Sequence, residues 1–250
     1  MIFNIKWVRA LVFFTLAIVI SNIFRFNVFL VKDYLNIEPV WFYLISISFL
    51  EGSGILIGVL VVILLLYKRE RIKISLFGTS VKYSLLMLVV PLSLFLIIGV
   101  DNEYDMDKHL YGLLSFTSTF LYCILEESGW RGYLQGEFKE MKSWRKFTLI
   151  GFMWYLWHLP FLTNSDFFSN ILFLGLLIFG SWGIGQVLIA TKSIVACACF
   201  HLVVQIISFN SLIKDGLNIN AKLIILAICI TSWIIILKRW EKITLSKGVI

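Results

Sequence analysis

The sequence predicts an all-α fold, a polytopic transmembrane helical bundle of about eight spans with both termini inside. Three observations predict it. First, 60% of the 250 residues are hydrophobic, only 15% are charged, and the mean hydropathy is +0.91. A soluble domain is roughly 45–50% apolar, and no core of this length could bury the surplus, so lipid must solvate it. Second, the apolar residues form continuous runs of about spanning length. Third, the basic residues are distributed asymmetrically between alternate loops.

The runs lie roughly at 8–30, 41–67, 83–100, 110–134, 147–163, 170–190, 193–212 and 222–237. A helix needs roughly 20 apolar residues to cross a bilayer. The runs are continuous and do not alternate as barrel strands do, so helices are expected. The first run follows a basic start, but no small-x-small cleavage site follows it, and a retained span is expected. No polar stretch is long enough to fold alone and no internal repeat is found. A single membrane domain, 1–250, is therefore expected.

Orientation follows from charge. With the N-terminus inside and all eight runs spanning, the inner segments carry sixteen Lys and Arg. The outer ones carry four, Lys32, Lys108, Lys214 and Lys222. This asymmetry predicts an N-in, C-in chain in the cell membrane. The net charge of +7 is thus a topology signal, and no nucleic-acid motif accompanies it. Cys123, Cys197, Cys199 and Cys229 all lie in apolar runs without a CxxC pair, as buried thiols do.

A charge at mid-bilayer costs roughly 2.5–3.5 kcal/mol on insertion scales. Arg25, Glu51, Glu126, Glu127, Arg131, His158 and His201 nevertheless fall inside the runs. Arg25 and Glu51 read as structural. At about 1.5 Å per residue, Glu126 lies about 13 Å from the inner end of its run, His158 about 16 Å and His201 about 12 Å. One carboxylate and two imidazoles therefore share a depth in the inner, cytoplasmic half of the bilayer.

Helical spacing divides the group. Glu127 and Arg131 are four apart and can pair, whereas Glu126 points about 100° away without such a partner. Glu126 is then available to a proton, a water or a metal, as a general base requires. His201 and Gln205 are also four apart, so an imidazole and a carboxamide donor can face one oxyanion. Structural readings stand beside these. Arg131 could snorkel to the inner interface as a topology anchor, and a lone histidine can serve as interhelical hydrogen-bond glue. The glycines Gly180, Gly183 and Gly185 read as close helix packing. Intramembrane carboxylates and histidines also mark proton-coupled transporters, although no repeat supports that reading.

These residues carry a family resemblance. Glu126-Glu127-Ser-Gly-Trp-Arg131 resembles the EExxxR motif of the CPBP intramembrane proteases, which include the CAAX prenyl endopeptidases and bacterial Abi-type proteins. Trp154-Tyr-Leu-Trp-His158 occupies the place of the family's FxxxH motif, with Trp for Phe. His201-Leu-Val-Val-Gln205 occupies the place of a histidine followed four residues later by Asn or Asp, with Gln one methylene longer. The resemblance covers roughly residues 110–210 and implies a catalytic core there.

By resemblance, Glu126 assisted by His158 would activate water, His201 and Gln205 would stabilise the oxyanion, and Glu127, Arg131 and Trp154 would support the site. Two mechanisms are implied for the family. In one, Glu126, His158 and His201 would hold Zn²⁺. The other is metal-free and glutamate-dependent. The implied partners are membrane lipid and a peptide or protein substrate with a hydrophobic or lipidated segment. The implied roles are prenyl-protein processing, peptide maturation or bacteriocin immunity, and the Gln205 departure also allows a catalytically silent membrane scaffold.

Overall fold

The structure, a computed structural model, describes residues 5–66, 75–162, 166–208 and 211–246. It is all-α. The elements are α1 (Ile5–Arg25), α2 (Val31–Leu35), α3 (Val40–Leu66), α4 (Val81–Ile98) and α5 (Lys108–Glu127). A π-helical segment (Ser128–Leu134) joins α5 to α6 (Gln135–Glu137). Then come α7 (Ser143–His158) with a 3-10 turn (Leu159–Phe161), α8 (Phe167–Thr191), α9 (Ile194–Ser208), α10 (Ser211–Lys214) and α11 (Ile219–Ser246).

Each apolar run overlaps one of the longer helices. Five helical stretches are long and apolar enough to cross a membrane: α1, α3, α4, α8 and Ile219–Ile243 of α11. A sixth, Ile194–Val203 in α9, is apolar but shorter. By length and composition, five or six of the eight expected spans are candidates. The physical reason is visible in the remainder: α7 is only 16 residues long and opens on Arg145 and Lys146, and α5 ends on two glutamates. Part of the charge asymmetry rests on Lys68, Arg69, Arg71, Lys73 and Lys247, which lie outside the described residues. Large apolar side chains such as Leu64, Ile97 and Phe179 are exposed on the crossing helices, as contact with lipid requires.

The chain divides into two compact units. The first comprises Met1–Val31, Leu50–Lys73 and Leu125–Gln186. Its α1 buries one face, Ala10, Phe13, Ala17 and Ser21. Small residues let backbones meet there: a Cβ on Gly54 would lie 2.5 Å from the backbone nitrogen of Ser21, and one on Gly58 3.0 Å from the carbonyl of Phe13. Gly54 and Gly58 therefore form a GxxxG contact, the device by which membrane helices approach without a hydrophobic driving force. The glycines of α8 behave differently from one another. A Cβ on Gly185 would strike the Phe147 ring, whereas one on Gly183 would meet nothing among the described residues. The packing role expected of Gly180, Gly183 and Gly185 together falls on Gly185. Arg9 Nε donates to Glu137 Oε1 at 2.9 Å, tying α1 to α6 through an ion pair in which Glu137 is buried. Asp166 caps α8, accepting from the hydroxyl and the backbone N–H of Ser169. Those bonds hold its carboxyl below the ordinary aspartate value.

The second unit comprises Lys32–Phe49, Ile74–Ile124 and Val187–Ile250. Here α4 packs on α9 and α11. Pro91 lies inside α4, has no N–H to give the carbonyl four residues earlier, and so would orphan Met87 O. Trp233 of α11 repairs this by donating its indole N–H to Met87 O at 3.0 Å. Trp233→Phe is expected to lower stability by roughly 1–3 kcal/mol, the cost of a buried unsatisfied carbonyl. Thermal unfolding in detergent measures it. Adding Pro91→Ala, which restores a backbone donor, should recover most of the loss, and an unshifted midpoint in Trp233→Phe would contradict the account.

The start of α9 is also built locally. Lys192 adopts φ 57°, and the chain turns there between α8 and α9. Ser193 caps α9, its hydroxyl accepting the Ala196 N–H at 3.1 Å. The backbone N–H groups of Ile194 and Val195 donate to Ser75 O and Leu76 O at 3.3 and 3.0 Å. These bonds satisfy donors that a helix start leaves open, and they fix the helix that carries His201.

Candidate active site

Glu126 and Glu127 are the last two residues of α5, and the helix widens immediately after them. The next seven residues are π-helical, and the Gln135 N–H donates to Trp130 O, five residues back. Single π turns inside helices occur often at functional sites. Gly129 makes this one possible: a Cβ there would collide with Ile55 and the Phe13 ring, so α1 and α3 press directly on the widened turn. An uninterrupted α-helix was expected here. The side chain of Gln135 anchors the far end, donating to Gly185 O at 3.1 Å.

Glu126 and Glu127 are both 0% exposed and have different partners. Arg131 Nη1 donates to Glu127 Oε1 at 3.0 Å, the ion pair that the spacing predicts. Arg131 is itself 1% exposed, so it does not snorkel to an interface. Its Nε and Nη2 have no hydrogen-bond partner among the described residues, and its guanidinium lies over the Trp154 ring, 4.4 Å from the centroid. That face offers an attractive quadrupole in place of further acceptors.

Glu126 is not left without a partner, contrary to the helical bookkeeping. Its Oε2 accepts the indole N–H of Trp154 at 2.9 Å and that of Trp130 at 3.2 Å. The two indole N–H groups satisfy an oxygen that burial would otherwise leave without a partner. Trp154 was expected only to pack beside the site. The signal for Trp130 was present in the sequence: it stands four residues after Glu126, as Arg131 does after Glu127.

His158 is the last residue of α7, about 22 Å along the helix from Ser143. The helix ends here, before Pro160, rather than running to residue 163 as the apolar run predicts. His158 Nδ1 lies 2.8 Å from Trp154 O. A carbonyl only accepts, so Nδ1 carries the proton, and in the neutral ring Nε2 holds the lone pair. The ring is enclosed by Trp154, Trp157, Phe161 and Phe173. Arg25 closes this end of α7, donating to Trp157 O at 3.0 Å and stacking 3.6 Å over the Trp157 ring. Its role is to satisfy a helix-terminal carbonyl.

All of these groups belong to the first unit. His201 and Gln205 belong to the second, and there they meet as the spacing predicts: Gln205 Nε2 lies 3.2 Å from His201 Nε2. An amide nitrogen only donates, so His201 Nε2 accepts and Nδ1 carries the proton. Both side chains are buried. One N–H of Gln205 is therefore spent on His201 and the other is left for a second acceptor. Among the described residues, no three His, Cys, Asp or Glu side chains are gathered as a metal-binding group. The four cysteines are free and buried.

Residues 109–207 match the family described as type II CAAX prenyl endopeptidase, Rce1-like. The matched segment takes in all three motifs. No curated protein and no solved structure matches the chain.

Proposed function

We propose that this chain, multi-pass by its apolar helices and carrying an Rce1-like domain of the CPBP family, is an intramembrane endopeptidase that hydrolyses a peptide bond through Glu126. The observation that supports it best is the linkage of Glu126 to His158 through one residue. Trp154 gives Glu126 an indole donor and gives His158 a carbonyl acceptor. A buried carboxylate and an imidazole with one nitrogen fixed are the parts a water-activating pair requires.

In this reading Glu126 takes a proton from water, with His158 Nε2 helping to hold that water, and the hydroxide attacks the peptide carbonyl. By the family resemblance, His201 and Gln205 would be the donors to the oxyanion that forms. The proton on Glu126 then passes to the leaving amine, so the group ends as it began. Glu127 and Arg131 neutralise each other and keep the π turn in place. This reading takes the metal-free, glutamate-dependent mechanism; the two indole donors on Glu126 Oε2 support it over the alternative in which Glu126, His158 and His201 would hold Zn²⁺. No step is routed through a metal.

The substrate in this reading is a membrane-associated peptide with a hydrophobic or lipidated C-terminal segment. It would reach a site in the cytoplasmic half of an eight-span, N-in, C-in bundle. The test is cleavage of such a peptide, with and without a prenyl group, by wild-type protein in liposomes, followed by mass spectrometry. Two product fragments are expected, unaffected by chelator. Chelator-sensitive cleavage with stoichiometric zinc would overturn the metal-free mechanism. Proton-driven uptake without cleavage would favour a transporter, and neither activity would favour a silent scaffold.

A further inference from the structure

We propose that Trp154 is the positioning residue of this site, holding the reactive carboxylate and imidazole in register through three separate parts of one side chain and backbone; this rests on the endopeptidase reading above. Its indole N–H donates to Glu126 Oε2 at 2.9 Å. Its ring lies beneath the Arg131 guanidinium at 4.4 Å. Its carbonyl accepts from His158 Nδ1 at 2.8 Å.

The geometry at Glu126 explains why the indole N–H matters. One donor fixes only a distance, and a carboxylate can still turn about its last bond. A second donor on the same oxygen, Trp130 at 3.2 Å, comes from the π segment while Trp154 comes from α7. Two donors from two elements define the carboxylate plane. Both indoles are themselves locked. Trp154 is 1% exposed, and Trp130 packs edge-on against Phe13 and Trp157. A phenylalanine at 154 could fill the space and face Arg131 but could not donate.

The experiment replaces Trp154 in the full chain by phenylalanine and by benzothienylalanine, the indole isostere with sulfur in place of N–H. Both are expected to lower kcat by about 100-fold, the scale of a small misplacement of a reacting group. KM should stay unchanged, since the substrate still binds. An isostere that keeps wild-type kcat would overturn the proposal, because packing alone would then explain the phenylalanine result. A second readout does not need activity. With indole-¹⁵N tryptophan, the Trp130 and Trp154 N–H resonances, assigned by their loss in Trp130→Phe and Trp154→Phe, should both move upfield in Glu126→Gln, where a charged acceptor becomes neutral. Unmoved resonances would overturn the clamp. Resonances that move in a protein that cleaves nothing would sink the endopeptidase reading while leaving the clamp standing.

Discussion

Glu126→Gln is expected to lower kcat by about a thousandfold while leaving the thermal unfolding midpoint unchanged. The two halves of that expectation come from the same contacts. The glutamine amide oxygen can still accept the indole N–H groups of Trp130 and Trp154, so the packing around a fully buried side chain is kept. Arg131 keeps its counter-ion in this variant, because it is paired with Glu127. The amide cannot take a proton from water, and a lost general base costs roughly 10²–10⁴-fold. Single-turnover cleavage of the reporter peptide measures the rate, and a variant within a few-fold of wild type would mean that Glu126 is not the base.

Arg131→Met is expected to have the largest effect on stability, about 3–5 kcal/mol, because it removes the cation paired with buried Glu127. Glu127 has no solvent exposure and Arg131 almost none, so no water can take over the lost interaction. The double variant Glu127→Gln, Arg131→Met should recover most of that loss, since a neutral pair of similar volume has no charge to desolvate. Arg131→Lys should fall between them, because an ammonium cannot both reach Glu127 and lie flat on the Trp154 ring. Denaturation in mixed micelles measures all three. A stable Arg131→Met protein would return Arg131 to the role of an interfacial anchor.

What the sequence made legible was periodic. Apolar runs located the helices, four-residue spacing paired Glu127 with Arg131 and His201 with Gln205, and three motifs in order pointed to the family. What it hid depends on contacts between helices or on departures from the α period. The π turn after Glu127 needs Gly129 to be pressed by Ile55 and Phe13, which lie far away in sequence. The Trp154 donor to Glu126 and the Arg9–Glu137 pair likewise join separate elements. The Trp130 contact is within reach of spacing alone, since Trp130 stands four residues after Glu126. The limit of α7 was written in Pro160, and continuous hydrophobicity masked it. Five or six of the eight expected spans qualify by length and composition for a related reason: the helices that carry the polar site residues are the shorter or less apolar ones, since polar groups take positions that lipid-facing residues would otherwise fill.

The central claim, that Glu126 and His158 act as one water-activating unit, is tested most directly by a double-mutant cycle on kcat with Glu126→Gln, His158→Ala and both together. Groups that act as a unit are strongly non-additive. The double variant is expected to cleave no more slowly than the slower single variant. Losses that multiply, or a His158→Ala rate equal to wild type, would contradict the account.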